Sequence, residues 1–203
     1  MAKPKFSTFV SPVGVAKLAF LDKPSAAFQP GAKEYFKTRL VLDDTAENRA
    51  WITKVYEAGL AEGKEAGVKI KKQHNTFFTL PEDMDDDDFI PQEGRKNPKF
   101  DEECRGKIIV EAKSAYKPGL IDTAKQALPE DVKIYGGDLI RIKVGLNPYA
   151  TGAVSGIGLY LNVVQLVEKK TSFSGGGGGV NTAGFDDIDG YVSEGAGDDE
   201  EDF

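Results

Sequence analysis

Runs in which apolar and polar residues alternate limit this chain to a β-rich fold. In residues 35–42, one side of the expected strand carries Phe36, Thr38, Leu40 and Leu42, whereas the other side is basic and aromatic. Comparable runs predict five principal strands, at residues 6–21, 35–42, 107–115, 138–146 and 157–167. Because strands that alternate in this way bury one face only, we expect a small antiparallel barrel or sandwich.

One amphipathic helix is predicted between the second and third of these strands. Residues 43–45, Asp-Asp-Thr, carry side chains that cap helix N-termini, and Ala50 and Val55 follow at helical spacing. We expect this helix at about residues 45–63. Residues 68–104 have no dominant periodicity, and their acidic and proline-rich part is expected to form an exposed loop.

The last thirty residues, 174–203, have a composition that the rest of the chain does not share. They begin with one serine and five glycines, hold nine carboxylates and contain no Lys or Arg. Since they offer few large apolar side chains to offset the entropy of ordering, we expect them to be disordered. The chain is therefore expected to comprise a folded domain at residues 1–173 and a Gly-rich, acidic interaction tail at residues 174–203.

The net charge of the whole chain is negative because of the acidic tail, whereas the rest of the chain has an excess of positive charge. The whole chain has 33 Asp and Glu against 26 Lys and Arg, and without the nine tail carboxylates the balance is 24 against 26, or +2. A second acidic run at residues 82–88 holds six more carboxylates, so outside both runs the balance is 18 against 26, or +8. A tethered polyanion of this length can compete with nucleic acid for a cationic surface of its own domain.

The sequence contains no arrangement typical of an enzyme or of a metal site. His74 is the single histidine, and no partner for nucleophilic catalysis or metal ligation accompanies it. The glycines at 175–179 lack the Lys-Ser/Thr of a phosphate loop, and residues 85–88 lack the glycine and glutamate of a calcium loop. Cys104 is the single cysteine, which excludes an internal disulfide and fits a reducing cytoplasm, and we expect it to be buried. We therefore expect no catalysis, no metal and no cofactor.

Basic and aromatic residues are interleaved on the outward faces of the predicted strands, which is typical of proteins that bind single-stranded nucleic acid. In such proteins cations follow the phosphates, and bases stack on aromatic rings at about 1–3 kcal/mol each. Outward Lys and Arg also serve simply to solvate a half-exposed strand, so each residue alone is a weak signal. The candidate DNA-binding residues lie in the N-terminal arm, on two strands and in the loop expected after residue 146: Lys3, Lys5, Tyr35, Lys37, Arg39, Arg141, Lys143 and Tyr149.

Several segments resemble, in the same order along the chain, the phage-encoded single-stranded DNA-binding proteins of short-tailed coliphages and their relatives. These segments are the Met-Ala-Lys start, residues 34–42, residues 136–149, residues 158–168 and the terminal Asp-Glu-Glu-Asp-Phe. The glycine pair that leads to Asn-Pro-Tyr at 147–149, and the acidic tail with its final Phe203, are the most specific of them.

The resemblance implies a five-stranded antiparallel OB-fold barrel that binds single strands, anneals complementary strands and forms a homodimer. By position, Tyr149 resembles the family's base-stacking tyrosine, Lys33 a basic residue beside the second strand, and Lys3 or Lys5 the basic N-terminus used in annealing. The resemblance also implies that the tail contacts the phage DNA polymerase and helicase-primase. The tail residues expected to do so are Asp198, Asp199, Glu200, Glu201, Asp202 and Phe203.

We therefore expect a protein of phage DNA replication, recombination and repair that binds single-stranded DNA with little sequence preference in the cytoplasm of the infected bacterium. Two other interpretations stay open. One is an OB-type interaction hub or DNA-mimic inhibitor that binds no DNA itself, and the other is a binder of both duplex and single-stranded DNA. A nuclease would have to take its metal-binding carboxylates from residues 82–88.

Overall fold

The computed structural model describes residues 7–25, 33–92 and 97–170, all of which belong to one unit, Met1–Lys170. The predicted tail at 174–203 and the predicted DNA-binding residues Lys3 and Lys5 lie outside the described residues. Within them the helix α1 spans Ala46–Glu65. The strands are β1 (Thr8–Val10), β2 (Gly14–Ser25), β3 (Tyr35–Asp43), β4 (Phe78–Thr79), β5 (Lys107–Ser114), β6 (Gly119–Ile121), β7 (Leu139–Thr151) and β8 (Val154–Glu168).

Five of these strands close into a barrel, because each is paired with two others in a ring. β3 lies between β2 and β5, and β7 lies between β8 and β2, and all of these pairs are antiparallel. β5 and β8 complete the ring through a parallel pairing of Lys113 with Tyr160. The ring agrees with the predicted mainly β, OB-type barrel. Among its five pairings, the parallel one differs from the antiparallel arrangement that was expected.

Inward-facing side chains from the five strands fill the barrel. Alternate residues of β7, from Ile140 to Leu146, are completely buried, as the alternation of side chains along a strand requires. Burial of one such aliphatic side chain stabilises the fold by about 1.5–3 kcal/mol. The other fully or almost fully buried members of this core include Leu21, Leu40, Leu42, Ile108, Val110, Ile157 and Leu161.

The helix α1 begins at a capping threonine and packs one face against the barrel. The Thr45 hydroxyl accepts a hydrogen bond from the Asn48 backbone N–H at 3.2 Å, which satisfies a donor that the first turn leaves free. Ile52 and Val55 are buried in the same core as the strands. Trp51 donates its ring N–H to the Val10 carbonyl at 2.9 Å. The helix predicted at about residues 45–63 is confirmed.

The loop predicted at residues 147–156 is wrong, because β7 and β8 form one long hairpin through this region. Tyr149 pairs with Gly156, and Thr151 pairs with Val154, so the strands continue to a tight turn. Gly152 makes that turn with a φ of 57°, a conformation that glycine adopts without steric cost. Ala150, Ser155 and Gly156, which suggested a loop, are instead part of a regular ladder.

The segment at residues 81–105 is hereafter called the insertion, and its described residues, 81–92 and 97–105, cover part of the outer surface of the barrel. Three short 3₁₀ helices lie in the described part of it, at Pro81–Asp83, Asp86–Phe89 and Glu102–Cys104. Its apolar side chains form a second cluster with two outward residues of β3 and β5: Val41, Phe89, Phe100, Cys104 and Ile109. The insertion is therefore packed onto the barrel by Phe89, Phe100 and Cys104, for which the prediction of an exposed loop is wrong, whereas most of its acidic residues are exposed as predicted. The expected burial of Cys104 is confirmed, and burial raises the pKa of its thiol.

We predict that Gly59→Ala destabilises the protein, although alanine favours a helix over glycine by about 1 kcal/mol. A Cβ atom at Gly59 would lie 2.7 Å from Cγ2 of Ile157, so either α1 or the buried Ile157 side chain would have to shift. We expect a loss of about 1–3 kcal/mol in the free energy of unfolding, measured by urea denaturation. The exposed control Ala61→Gly is expected to lose only its helix propensity. A more stable Gly59→Ala variant would contradict the packing of α1 against β8.

Candidate nucleic-acid interface

Four side chains form a row across the outer surface of four adjacent barrel strands. Phe20 of β2 pairs with Lys37 of β3, Lys37 pairs with Lys113 of β5, and Lys113 pairs with Tyr160 of β8. Since neighbouring strands lie about 4.8 Å apart, these four residues are contiguous. We call them the cross-strand row. In order, the row consists of an aromatic ring, two ammonium groups and a second aromatic ring.

A bulge in β2 brings Phe20 onto this face. Lys17 pairs with Arg39 and Phe20 pairs with Lys37, so an advance of three residues on β2 matches an advance of two on β3. The bulge includes Leu18, whose φ is 47°. As a consequence, Lys17 and Phe20 both point outward, although strict alternation would place them on opposite faces.

The two lysines of the row lie over aromatic rings. The Lys37 ammonium is 5.3 Å from the centre of the Phe20 ring, and the Lys113 ammonium is 5.1 Å from the centre of the Tyr35 ring. Within residues 7–25, 33–92 and 97–170, no carboxylate forms an ion pair with either lysine. Phe20 is 39% exposed and Tyr160 is 47% exposed. The row therefore offers positive charge and ring surface to an anionic, aromatic ligand.

The next row on the same surface is neutralised by carboxylates. The Lys17 ammonium donates a hydrogen bond to Glu103 of the insertion at 2.6 Å. Burial lowers the pKa of Lys17, but the hydrogen bond and charge of Glu103 outweigh burial and hold it above its usual value. The same hydrogen bond lowers the pKa of Glu103. Arg39 donates to Glu111 at 2.8 Å, and its guanidinium lies 4.9 Å from the centre of the Phe100 ring.

The third row on this surface is apolar and covered. Val15 pairs with Val41, and Val41 pairs with Ile109. Phe89 and Phe100 of the insertion pack over them. The outer surface of β2, β3 and β5 is thus open at the cross-strand row and closed by the insertion at its other end.

Three further predicted residues lie outside the cross-strand row. Arg141 and Lys143 are on the outward side of β7, which is adjacent to β2 and β8 and not to β3. The Arg141 guanidinium donates to the Ser11 carbonyl at 2.9 Å, whereas Lys143 is exposed. Lys33 is exposed two residues before β3 begins.

Tyr149 is half-buried in the β7–β8 hairpin, and its ring lies against the partner strand. A Cβ atom at Gly156 would be 2.7 Å from the Tyr149 hydroxyl oxygen, so only glycine accommodates the ring here. The Asn75 side-chain amide donates to the Tyr149 hydroxyl at 3.4 Å. The structure therefore brings Tyr35, Lys37 and Arg39 to one surface, and places Tyr149 in the hairpin.

In the part of the chain that the structure describes, no helix is both long and apolar enough to cross a membrane. The same residues contain no group of three His, Cys, Asp or Glu side chains placed to hold a metal ion.

A protein-family model described as "Enterobacter phage Enc34, ssDNA-binding protein" matches residues 13–202 of this sequence. The chain belongs to this family. The resemblance to phage-encoded single-stranded DNA-binding proteins that the sequence indicated is thus confirmed. No curated protein sequence gives a match.

Solved structures of phage proteins share the fold. The single-stranded DNA-binding protein from bacteriophage Enc34 in complex with ssDNA has a TM-score of 0.60 at 15% identity, over 82% of this chain and 89% of that chain. A C-terminal truncation of the Enc34 protein has a TM-score of 0.59 at 16% identity, over 82% and 88%. The gp2.5 single-stranded DNA-binding protein encoded by bacteriophage T7 has a TM-score of 0.53 at 21% identity, over 86% and 97%. These similarities confirm the predicted fold class.

Sequence reasoning missed three of the four members of the row in this member of the Enc34 family. Lys113 and Tyr160 lie at outward positions of strands that the alternation of apolar residues had located correctly. The sequence does not state which residue of one strand faces which residue of the next, so their place beside Lys37 was not visible. Phe20 was missed because the bulge at Leu18 reverses the alternation in β2.

We predict that Glu103→Gln lowers the pKa of the Lys17 ammonium. The substitution removes the carboxylate that raises this pKa and leaves the burial that lowers it. The measurement is an NMR titration of the Lys17 side chain. The control Glu65→Gln, at the exposed end of α1, is expected to leave Lys17 unchanged. An unaltered Lys17 pKa in Glu103→Gln would show that the insertion does not hold this lysine in solution.

Proposed function

We propose that this protein binds single-stranded DNA during phage DNA replication and recombination, with little preference for sequence. The observation that carries the proposal is the cross-strand row, in which two lysines free of ion pairs among the described residues lie between exposed rings. Membership of the Enc34 family supports it. The surface of the central strands is also where OB folds bind oligonucleotides.

The row supports a mechanism without readout of base edges. Lys37 and Lys113 contact successive phosphates of the strand, because their ammonium groups are held on ring faces rather than by carboxylates. Bases stack on Phe20, Tyr35 and Tyr160, and every base has a ring face for such stacking. The strand is therefore held by charge and by stacking, which depend little on its sequence.

The other predicted residues have different proposed roles. Arg39 is proposed to orient the insertion through Phe100 rather than to contact a phosphate, since Glu111 engages its guanidinium. Outlying contacts to the phosphates or bases are proposed for Lys3, Lys5, Lys33, Arg141, Lys143 and Tyr149.

The acidic C-terminal residues are proposed to regulate this surface. We propose a DNA-binding domain at residues 1–173 and a tail at 174–203 that competes with DNA through its nine carboxylates. Once DNA displaces the tail, Asp198, Asp199, Glu200, Glu201, Asp202 and Phe203 are free to contact the phage DNA polymerase and helicase-primase. The proposal includes a homodimer, a part in DNA repair, and action in the cytoplasm of the infected bacterium.

Two experiments separate this proposal from its rivals. An interaction hub or DNA mimic would not bind a labelled oligonucleotide in a fluorescence-anisotropy titration at low salt. A protein that accepts duplexes would be displaced from the labelled strand by a hairpin as efficiently as by an unpaired oligonucleotide of equal length. We expect binding in the first experiment and preference for the unpaired strand in the second.

We predict that Lys113→Gln weakens binding to single-stranded DNA and reduces the salt dependence of the affinity. Loss of one phosphate contact should reduce the slope of log K against log salt concentration by about 0.7. Anisotropy titrations at several salt concentrations measure both quantities. The control Lys54→Gln removes an exposed charge from α1, away from the row, and is expected to keep the parent slope. Equal slopes for the two variants would remove Lys113 from the interface.

Deletion of residues 174–203 is expected to tighten binding to single-stranded DNA. The deletion removes nine carboxylates and changes the net charge from −7 to +2. Titrations of the full chain and of residues 1–173 with the same oligonucleotide, at two salt concentrations, give the comparison. A full-length variant in which the nine tail carboxylates are replaced by amides serves as a control, because it removes the charge and keeps the length of the tail. If the truncated protein binds as well as the full chain or more weakly, the tail does not compete with DNA.

A further inference from the structure

A groove of about 760 Å³ lies beside the cross-strand row. One wall is the second half of β2, from Ala19 to Lys23, and the other wall is formed by residues from the segment 117–135. On this side β2 pairs with β7 only at Gly14 and Val15 within the described residues. The Ala16 backbone is hydrogen-bonded to Gly137 and Asp138, so the part of β2 that faces the groove is the one from Ala19 to Lys23.

Phe20 belongs both to the row and to the groove. Its ring lies under the Lys37 ammonium, and it also lines the groove. Leu128 and Ile134 contribute apolar surface on the opposite wall. At the rim, Tyr135 is 52% exposed, and the Lys169 ammonium lies 4.9 Å from the centre of its ring. A planar, apolar group that leaves the row at Phe20 would meet a second aromatic ring in the groove.

The groove has a small excess of positive charge. Lys117 and Lys133 share one carboxylate, that of Asp22, at 3.1 and 3.0 Å. Lys23 and Glu130 also line the groove, so three ammonium groups stand against two carboxylates. Because Asp22 is shared, a phosphate can pair with one of the two lysines while the other keeps its ion pair. This arrangement suits the backbone of a nucleic acid.

On the other side of the cross-strand row, the next row on the same surface is closed to a polyanion. There Glu103 and Asp101 lie beside Lys17, and Glu111 lies beside Arg39. These carboxylates form ion pairs with the cations of that surface, and they repel phosphates. A nucleic-acid strand that crosses the row can therefore extend past Phe20 toward the groove more favourably than toward these carboxylates.

We propose that the groove is a second subsite for the same DNA strand, in which a base enters between Phe20 and Tyr135 while Lys117 and Lys133 contact the flanking phosphates. The inference rests on the proposed function, because it takes the row as the first subsite. It identifies which side of the row the strand occupies. It also implies that the affinity rises in a step when an oligonucleotide becomes long enough to reach the groove.

Binding of oligothymidylates of increasing length to Tyr135→Ala and Lys133→Gln tests the proposal. We expect both variants to bind the shortest oligonucleotides as the parent does, and Tyr135→Ala to bind long ones at least about fivefold more weakly. Tyr135→Phe keeps the ring and is expected to behave as the parent. Lys54→Gln is the charge control, and thermal melting of every variant checks that the fold is intact.

The results distinguish failure of this inference from failure of the proposed function. If Tyr135→Ala and Lys133→Gln bind every length as the parent does while Lys113→Gln is weakened, the groove is not on the path of the DNA. The free edge of β2 would then point to a peptide partner instead. Equal losses at all lengths would also overturn a separate second subsite. If Lys113→Gln binds like the parent, the row itself is not the interface and the proposed function fails first.

Discussion

The pairing of β3 with β2 on one side and with β5 on the other is the constraint on which this structure depends. The β3–β5 pairing runs without interruption from Phe36 to Asp43, so every outward residue of one strand has a fixed neighbour on the other. This register decides that Lys37 meets Lys113, and that Arg39 meets Glu111. A shift of β3 by one residue would turn Lys37 and Arg39 into the barrel and bring Leu40 to the surface. The hydrophobic core and the candidate interface are therefore specified by the same hydrogen bonds.

The insertion divides the outer surface of these strands into two parts with different tasks. Where Phe89 and Phe100 cover Val41 and Ile109, the surface contributes to stability by burying apolar area. Where the insertion does not reach, lysines rest on rings and remain available to a ligand. The carboxylates of the insertion sharpen this boundary, because Glu103 engages the lysine closest to it. An acidic segment beside the candidate interface thus limits the length of that surface without abolishing it.

The sequence was sufficient for most elements of the fold but not for their contacts. Alternation located the barrel strands, and capping residues located α1, because both depend on local spacing. The single strand predicted at residues 6–21 is divided into β1 and β2, with residues 11–13 between them. The packing of residues 81–105 was not foreseen, since Phe89 and Phe100 are isolated among charged and proline residues and have no periodicity. The sequence predicts a loop at Tyr149 because glycines usually mark turns. In the fold Gly152 makes the turn, whereas Gly156 makes room for the Tyr149 ring, which is a contact between strands.

The bulge at Leu18 decides which of the residues that follow it in β2 point outward. It is the reason that a residue three positions after Lys17 shares its side of the sheet. If β2 kept all its residues but ran through this point without the bulge, Ala19 would stand beside Lys37, and Phe20 would be directed into a barrel with no space for it. Loss of the bulge would thereby remove the first ring of the surface and overfill the core together. The outward face of β2 beyond Lys17 therefore depends on the backbone conformation at Leu18.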